Sequence, residues 1–172
     1  MKNKKLLVCT FSGGRTSAFM GKFLNEYDKY KDYEKLFVFA NTGKEKEETL
    51  EFIDKCSKEW NLPIVWLEAK IINEKGKGTT YKIVDFETAS RNGEPFVDML
   101  EKYPMPNNFA SNCTRELKQR PIEKFVKDLG FNEVITAMGI RYDERHRKSL
   151  NAKEQNIIYP LCDDIKVDNL FI

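Results

Sequence analysis

Short apolar runs alternate along the chain with longer stretches in which apolar residues return every three or four positions. Leu6-Leu7-Val8-Cys9-Thr10-Phe11 is such a run, bounded by a glycine pair, and it reads as a strand buried on both faces of a parallel sheet. From Ser17 to Tyr27, Ala18, Phe19, Phe23 and Leu24 fall at helical spacing, so this segment is predicted to pack back over the sheet. Lys35-Leu36-Phe37-Val38-Phe39-Ala40 repeats the strand, and Asn41-Thr42-Gly43 reads as a turn. Glu45 to Trp60 then sets Leu50, Ile53, Cys56 and Trp60 on one helical face, with Glu45, Glu47 and Glu48 suited to its first turns. Pro63-Ile64-Val65-Trp66-Leu67 is a third strand. Strand and helix in alternation imply right-handed crossovers, hence an α/β fold with a doubly wound, mostly parallel central sheet.

The second half is less regular. Lys75-Gly76-Lys77-Gly78 reads as a flexible connection, Lys82 to Ala89 as a short helix, and Tyr103-Pro104-Met105-Pro106-Asn107-Asn108 as an ordered turn or lid. Residues 114 to 128 suit a helix with Leu117, Ile122, Phe125 and Val126 inward, kinked or divided at Pro121. Glu133 to Ile140 supplies another strand, and Ile157-Ile158-Tyr159-Pro160-Leu161 a short edge strand, with no closing helix evident after it. No internal repeat or linker interrupts the pattern, so residues 1–172 read as a single domain.

Composition narrows the chemistry. The 172 residues are 41% apolar, with twelve Phe and seven Tyr to fill a core. Twenty-nine basic residues stand against 27 acidic ones, and a net charge of +2 gives no general nucleic-acid or membrane surface. Any anion site must therefore be local. The lysine-rich stretch from 70 to 82 lacks an aromatic stacking platform and reads as a solvated loop. The basic start is followed too soon by charges and glycines for a secretory leader, and no apolar run approaches a membrane span, which points to the cytoplasm. Cys9, Cys56, Cys113 and Cys162 form no paired motif, and His146 is the one histidine, so disulfide frameworks and zinc centres are not suggested. Cys9 and Cys56, on a strand and a helix face, read as small buried apolar residues.

The strongest chemical signal is Ser12-Gly13-Gly14-Arg15-Thr16-Ser17, set between the first strand and the first helix. Paired glycines let backbone amides approach an anion, the helix N-terminus adds a favourable field, and Ser12, Thr16 and Ser17 add hydroxyls, with Arg15 a further charge. The spacing is neither the Gly-x-x-x-x-Gly-Lys of a Walker site nor the Gly-x-Gly-x-x-Gly of a dinucleotide fold. It resembles the Ser-Gly-Gly-x-x-Ser PP-loop of the adenine nucleotide alpha hydrolase-like superfamily. Within that superfamily the chain resembles the phosphoadenosine phosphosulfate (PAPS) reductase family from residue 5 to about 165. The landmarks are Phe11 to Ser17, Phe39 to Glu45, Cys113 to Lys118, Gly139-Ile140-Arg141-Tyr142-Asp143-Glu144 and Tyr159-Pro160-Leu161. The resemblance implies the strand order 3-2-1-4-5 and an adenine nucleotide, ATP or PAPS, as the small-molecule ligand.

It also implies that Asn41, Thr42 and Gly43 border the adenosine, at the carboxyl edge where open parallel sheets bind ligands, with Gly139 at the same site. Asn41 stands where the family commonly has Asp. Arg115 and Lys118, three apart on a predicted helix, are candidates for a second phosphate or sulfate contact, with a solvated basic face as the alternative. Arg141, Arg145 and Arg147 follow the strand ending at Ile140. Arg141 is the candidate to act on the reacting phosphate. Asp143 and Glu144 suit either a Mg²⁺ between phosphates or simple pairing with these arginines.

Reductases of the family carry a nucleophilic cysteine in a Cys-Gly tail, and the adenylylsulfate branch adds paired cysteines. Neither pattern occurs here, and Asn112 precedes Cys113, so no iron–sulfur cluster is expected. Cys113, beside Arg115 and Lys118, is the candidate thiol. Three readings follow: an enzyme acting on the phosphosulfate of PAPS, an ATP pyrophosphatase that adenylates an acceptor, and a non-catalytic nucleotide binder or sensor. In relatives the second logic serves nucleobase thiolation and DNA phosphorothioation, which leaves nucleic acid open as an acceptor. A partner protein and a homo-oligomer are equally open.

Overall fold

The computed structural model describes residues 4–74, 76–103 and 112–168. In chain order the elements are β1 (Lys5–Phe11), α1 (Arg15–Glu26), β2 (Glu34–Asn41), α2 (Glu47–Glu59), β3 (Ile64–Ile71), β4 (Thr79–Val84), α3 (Glu94–Lys102), α4 (Asn112–Thr114), α5 (Arg120–Asp128), β5 (Glu133–Ala137), β6 (Ile157–Ile158) and α6 (Pro160–Asp163). A π-turn (Arg115–Gln119) joins α4 to α5, and short 3-10 turns lie at Asp28–Tyr30 and Tyr142–Arg147. One six-stranded sheet has the order β4-β3-β2-β1-β5-β6. Its β3-β2-β1-β5-β6 portion is the expected 3-2-1-4-5 order.

Contacts gather the chain into two compact units. The first comprises Met1–Val38, Lys55–Ile64 and Phe131–Ile172. Its centre is β1, whose Leu6, Leu7, Val8 and Cys9 are all buried, as a strand covered on both faces requires. β5 pairs with it in parallel, Leu6 opposite Val134 and Cys9 opposite Ala137, and β6 pairs with β5 through Thr136 and Ala137. The chain turns one way from β1 and the other way from β5, so their carboxyl ends form a switch point where open sheets leave a crevice. Met20 and Leu24 of α1 are fully buried, while its Phe19 and Phe23 are half-buried.

The second unit comprises Phe39–Asp54 and Val65–Gly130. Here β4 replaces the helix expected from Lys82 to Ala89. Thr79-Thr80-Tyr81-Lys82-Ile83-Val84 is rich in β-branched and aromatic residues and pairs antiparallel with β3, Trp66 opposite Val84 and Ile71 opposite Thr79. Asp85 then stops the strand by accepting the Thr88 amide at 2.8 Å and its hydroxyl at 2.7 Å. The helix α3 follows where no helix was expected, and the lid predicted at 103–108 falls, beyond Tyr103, outside the described residues. Ala69, Met99 and Leu117 form a small core with Ile71, Phe96 and Leu100 against it.

Pro121 acts on the next helix without breaking it. It has no N–H to give to the preceding turn, and the chain widens that turn so that the Arg120 amide reaches the Arg115 carbonyl, five residues back. Glu116, inside the π-turn, is 0% exposed. It accepts from the Thr79 hydroxyl and from Arg115 Nε at 2.8 Å, with Arg120 Nε at 3.4 Å. Burial alone would raise its carboxyl pKa, but these donors outweigh burial and hold it below the usual value. The carboxylate thus ties the start of β4 to the π-turn.

Because the folded value lies below the ordinary 4.5, the contribution of Glu116 is complete above that pH and is lost as pH falls through the folded value. Glu116→Gln should therefore lower stability at pH 7 by about 1–3 kcal/mol. In denaturant unfolding, the gap between variant and parent should narrow below pH 4.5.

Candidate functional site

The loop after β1 owes its shape to two glycines and a buried serine. Gly13 has φ +80°, a left-handed conformation that favours glycine, and Gly14 is the extended N-cap residue of α1 with no side chain to cap it. Ser17, one turn inside the helix, closes the loop without capping it. Its Oγ donates to the Gly14 carbonyl at 2.8 Å and accepts from the Ser12 amide and hydroxyl, both at 3.1 Å. The hydroxyls of Ser12 and Ser17, expected to face a ligand, are therefore used to close the loop. The reason is local: Ser17, five residues on, lies within reach of both Ser12 groups and of the Gly14 carbonyl, while the glycine N-cap leaves the helix amides uncapped.

Ser12 is the one loop amide bonded internally. Among the described residues the amides of Gly13, Gly14, Arg15 and Thr16 have no acceptor, and the helix ladder opens with Ala18 N to Gly14 O. These donors stand at a helix N-terminus, where the peptide dipoles favour negative charge. Arg15 is exposed and makes no ion pair among the described residues.

The segment after β5 completes this face. A Cβ on Gly139 would lie 3.4 Å from Ser17 Cα and 3.6 Å from Ser17 N, so the chain here lies against the first turn of α1. Arg141 Nη1 lies 3.5 Å from Thr16 Oγ1. Its Nε and Nη2 donate to the two oxygens of Asp143, each at 3.0 Å, and Glu144 stands 3.7 Å away. The guanidinium holds the Asp143 carboxyl below its usual range. Glu144 also takes Arg147 at 2.7 Å, while Arg145 donates to the Tyr142 carbonyl and lies over the Tyr142 ring. Both candidate metal ligands are thus engaged by arginines, and no group of three or more His, Cys, Asp or Glu gathers to hold a cation among the described residues. These donors do not fit a preformed Mg²⁺ centre.

In the other unit, Asn41 is 0% exposed and its amide is fully occupied. Nδ2 donates to Glu68 Oε1 at 2.8 Å and to the Ser90 carbonyl at 2.9 Å, and Oδ1 accepts the Gly43 amide at 3.1 Å. Its side chain is buried and shapes the turn from inside. Gly43 has φ +74°, and a Cβ there would meet Gly93 Cα and Pro95 Cδ at 3.0 Å, so the turn is also fixed against the start of α3. Thr42 donates to Glu45 at 3.0 Å, and Lys118 Nζ stands 4.0 Å from the same oxygen.

Arg115 and Lys118 do not converge. Arg115 donates to Glu116 and to Asn112 Oδ1 at 3.0 Å, whereas Lys118 reaches toward Glu45. The π-turn explains it: with more residues per turn, a spacing of three no longer returns to one face. Cys113 packs against the Ala69, Met99 and Leu117 cluster. Burial pushes the Cys9 thiol up to about 12 and raises those of Cys56 and Cys162, and the one S–H of Cys162 is shared between the carbonyls of Ile140 and Arg141, each 3.1 Å from Sγ.

Sequence reasoning missed Glu68, Ser90 and Glu116. Glu68 is 2% exposed and also accepts the Ser90 amide at 2.6 Å and hydroxyl at 3.0 Å. Its signal was a carboxylate inside an apolar strand, Trp66-Leu67-Glu68-Ala69, because a charge so placed requires partners.

A family model described as the phosphoadenosine phosphosulfate reductase domain matches residues 6–157. The chain is 35% identical over 144 residues to an uncharacterized nin region protein, ORF290, of Escherichia phage lambda, covering 81% of this chain and 49% of that protein. It is 25% identical over 148 residues to the uncharacterized protein MJ0066 of Methanocaldococcus jannaschii, covering 86% of this chain and 25% of that protein. The chain thus spans half or less of the length of these relatives.

Asn41→Asp would set a second carboxylate against buried Glu68. It should destabilise the protein by about 3 kcal/mol or more. The resulting fall in thermal midpoint, about 6 °C or more, should shrink when Glu68→Gln is added, as calorimetry of the single and double variants would show.

Proposed function

Because the chain belongs to the phosphoadenosine phosphosulfate reductase family, we propose that it is an adenine-nucleotide-binding enzyme acting on the phosphoanhydride of an ATP-type nucleotide. The observation that carries this is the row of unbonded amides from Gly13 to Thr16 with the Arg141 guanidinium 3.5 Å from Thr16 Oγ1. Such a row suits a di- or triphosphate, whose oxygens accept several N–H donors at once. In this reading an acceptor attacks the α-phosphorus, the bond from that phosphorus to the bridging oxygen breaks, and pyrophosphate leaves. The loop amides and Arg141 stabilise the charge that develops on the leaving group.

Three of the four thiols support the anhydride over sulfur chemistry. Attack on the sulfur of PAPS needs a thiolate. Cys9, Cys56 and Cys162 are buried with raised pKa values, and Cys113 packs against an apolar cluster.

Incubation with ATP and Mg²⁺, with an acceptor-trapping nucleophile present, should release pyrophosphate. Sulfite release from PAPS would instead establish the reductase reading, and saturable ATP binding without turnover the binder. Gly14→Val separates site from fold. At φ −94° with Ser12 Oγ at 3.8 Å as the nearest atom, the backbone and the space accept a side chain, which would stand over the amides. The variant should unfold at the parent temperature and bind ATP at least about 100-fold more weakly. Unchanged binding would contradict the assignment.

A further inference from the structure

Arg141 is held at several points by contacts that the sequence did not suggest. The Arg141 carbonyl accepts from the Glu144 amide at 3.0 Å, and the Tyr142 amide donates to the Val167 carbonyl at 2.9 Å, so the peptide unit that follows the residue is held at both its oxygen and its nitrogen. Asp143 takes Nε and Nη2 in the fork geometry that matches a guanidinium to a carboxylate, with both bonds at 3.0 Å. Glu144 adds its charge at 3.7 Å, and is itself steadied by Arg147. One edge of the guanidinium, Nη1, remains, and it points at Thr16 Oγ1 in the first turn of α1. Arg141 has five N–H donors, and the carboxylate uses those on the side away from the loop.

We propose that Asp143 is a positioning residue, which locks the Arg141 guanidinium with its free Nη1 edge toward the Ser12–Ser17 loop. This rests on the loop being the anion site. The role differs from metal ligation, which would use the same carboxylate oxygens for a cation. It also makes a sign prediction that charge alone does not. A carboxylate near an anion site repels the anion, so its removal would tighten binding if it were a bystander. If it aims Arg141, its removal frees a long side chain to sample many rotamers, and binding weakens despite the more favourable charge.

The test uses the full chain and inorganic pyrophosphate, titrated calorimetrically with and without Mg²⁺. Asp143→Asn should weaken pyrophosphate binding about 3- to 10-fold in the absence of Mg²⁺, and Asp143→Glu should recover part of the loss. Arg141→Ala should weaken it further, and adding Asp143→Asn to Arg141→Ala should then cost nothing more, as coupled residues require. Unfolding midpoints of all variants distinguish this coupling from general destabilisation. Unchanged or tighter Mg²⁺-free binding by Asp143→Asn, beside weakened binding by Arg141→Ala, would overturn the positioning role alone. A loss confined to Mg²⁺-containing buffer would overturn it in favour of metal ligation. Parent-like binding by Arg141→Ala and Gly14→Val would overturn the anion site, and the role of Asp143 with it.

Discussion

A helix that begins immediately after a buried strand leaves its first amides without carbonyl partners, and the protein must either cap them or give them to something else. Here the cap is partial. Ser17 reaches back to Gly14 and Ser12, which settles the loop's own hydroxyls and one amide, and the amides of Gly13 to Thr16 stay open. Everything else in this unit follows from that choice. Gly13 is favoured because the turn demands a left-handed residue, and Gly14 leaves the N-cap bare. The segment after β5 lies against the same helix turn, with a Cβ position at Gly139 3.4 Å from Ser17 Cα. The parallel pairing of β1 with β5 delivers that segment to the place where it can do so.

Electrostatics works over the same short range. With 29 basic and 27 acidic residues the chain has little field at distance, so attraction for an anion must come from oriented groups at the site. The arginines after β5 are therefore neither free nor neutralised at random. Arg141 is clamped with one edge open, Arg147 steadies the acid beside it, and Arg145 lies over Tyr142. An aimed guanidinium loses less entropy on meeting a phosphate than a free one.

Much of this was legible because continuous apolar runs ending in glycine leave few alternatives: β1, β2 and β3 and the loop after β1 lie where the pattern put them. β4 was misread as a helix, since a six-residue half-exposed strand shows little periodicity and its identity comes from pairing with β3. Arg115 and Lys118 were placed by α-helical spacing, and a π-turn ahead of Pro121 removed that premise. Asn41 reads as part of a turn, and the family resemblance implies that it borders the adenosine. Its orientation was decided by Glu68, a partner 27 residues away that only the tertiary fold brings near. For β4 and Asn41 the missing information was a long-range partner, and for Arg115 and Lys118 it was the helix type ahead of Pro121.

The central claim is that main-chain N–H groups of the first crossover receive the phosphates. Amide chemical shifts followed by heteronuclear NMR during a pyrophosphate titration address it directly. The account predicts saturable shifts at the amides of Gly13, Gly14, Arg15 and Thr16, with the Ser12 amide, already bonded to Ser17, moving least. Saturable shifts elsewhere with these four amides unmoved would contradict it.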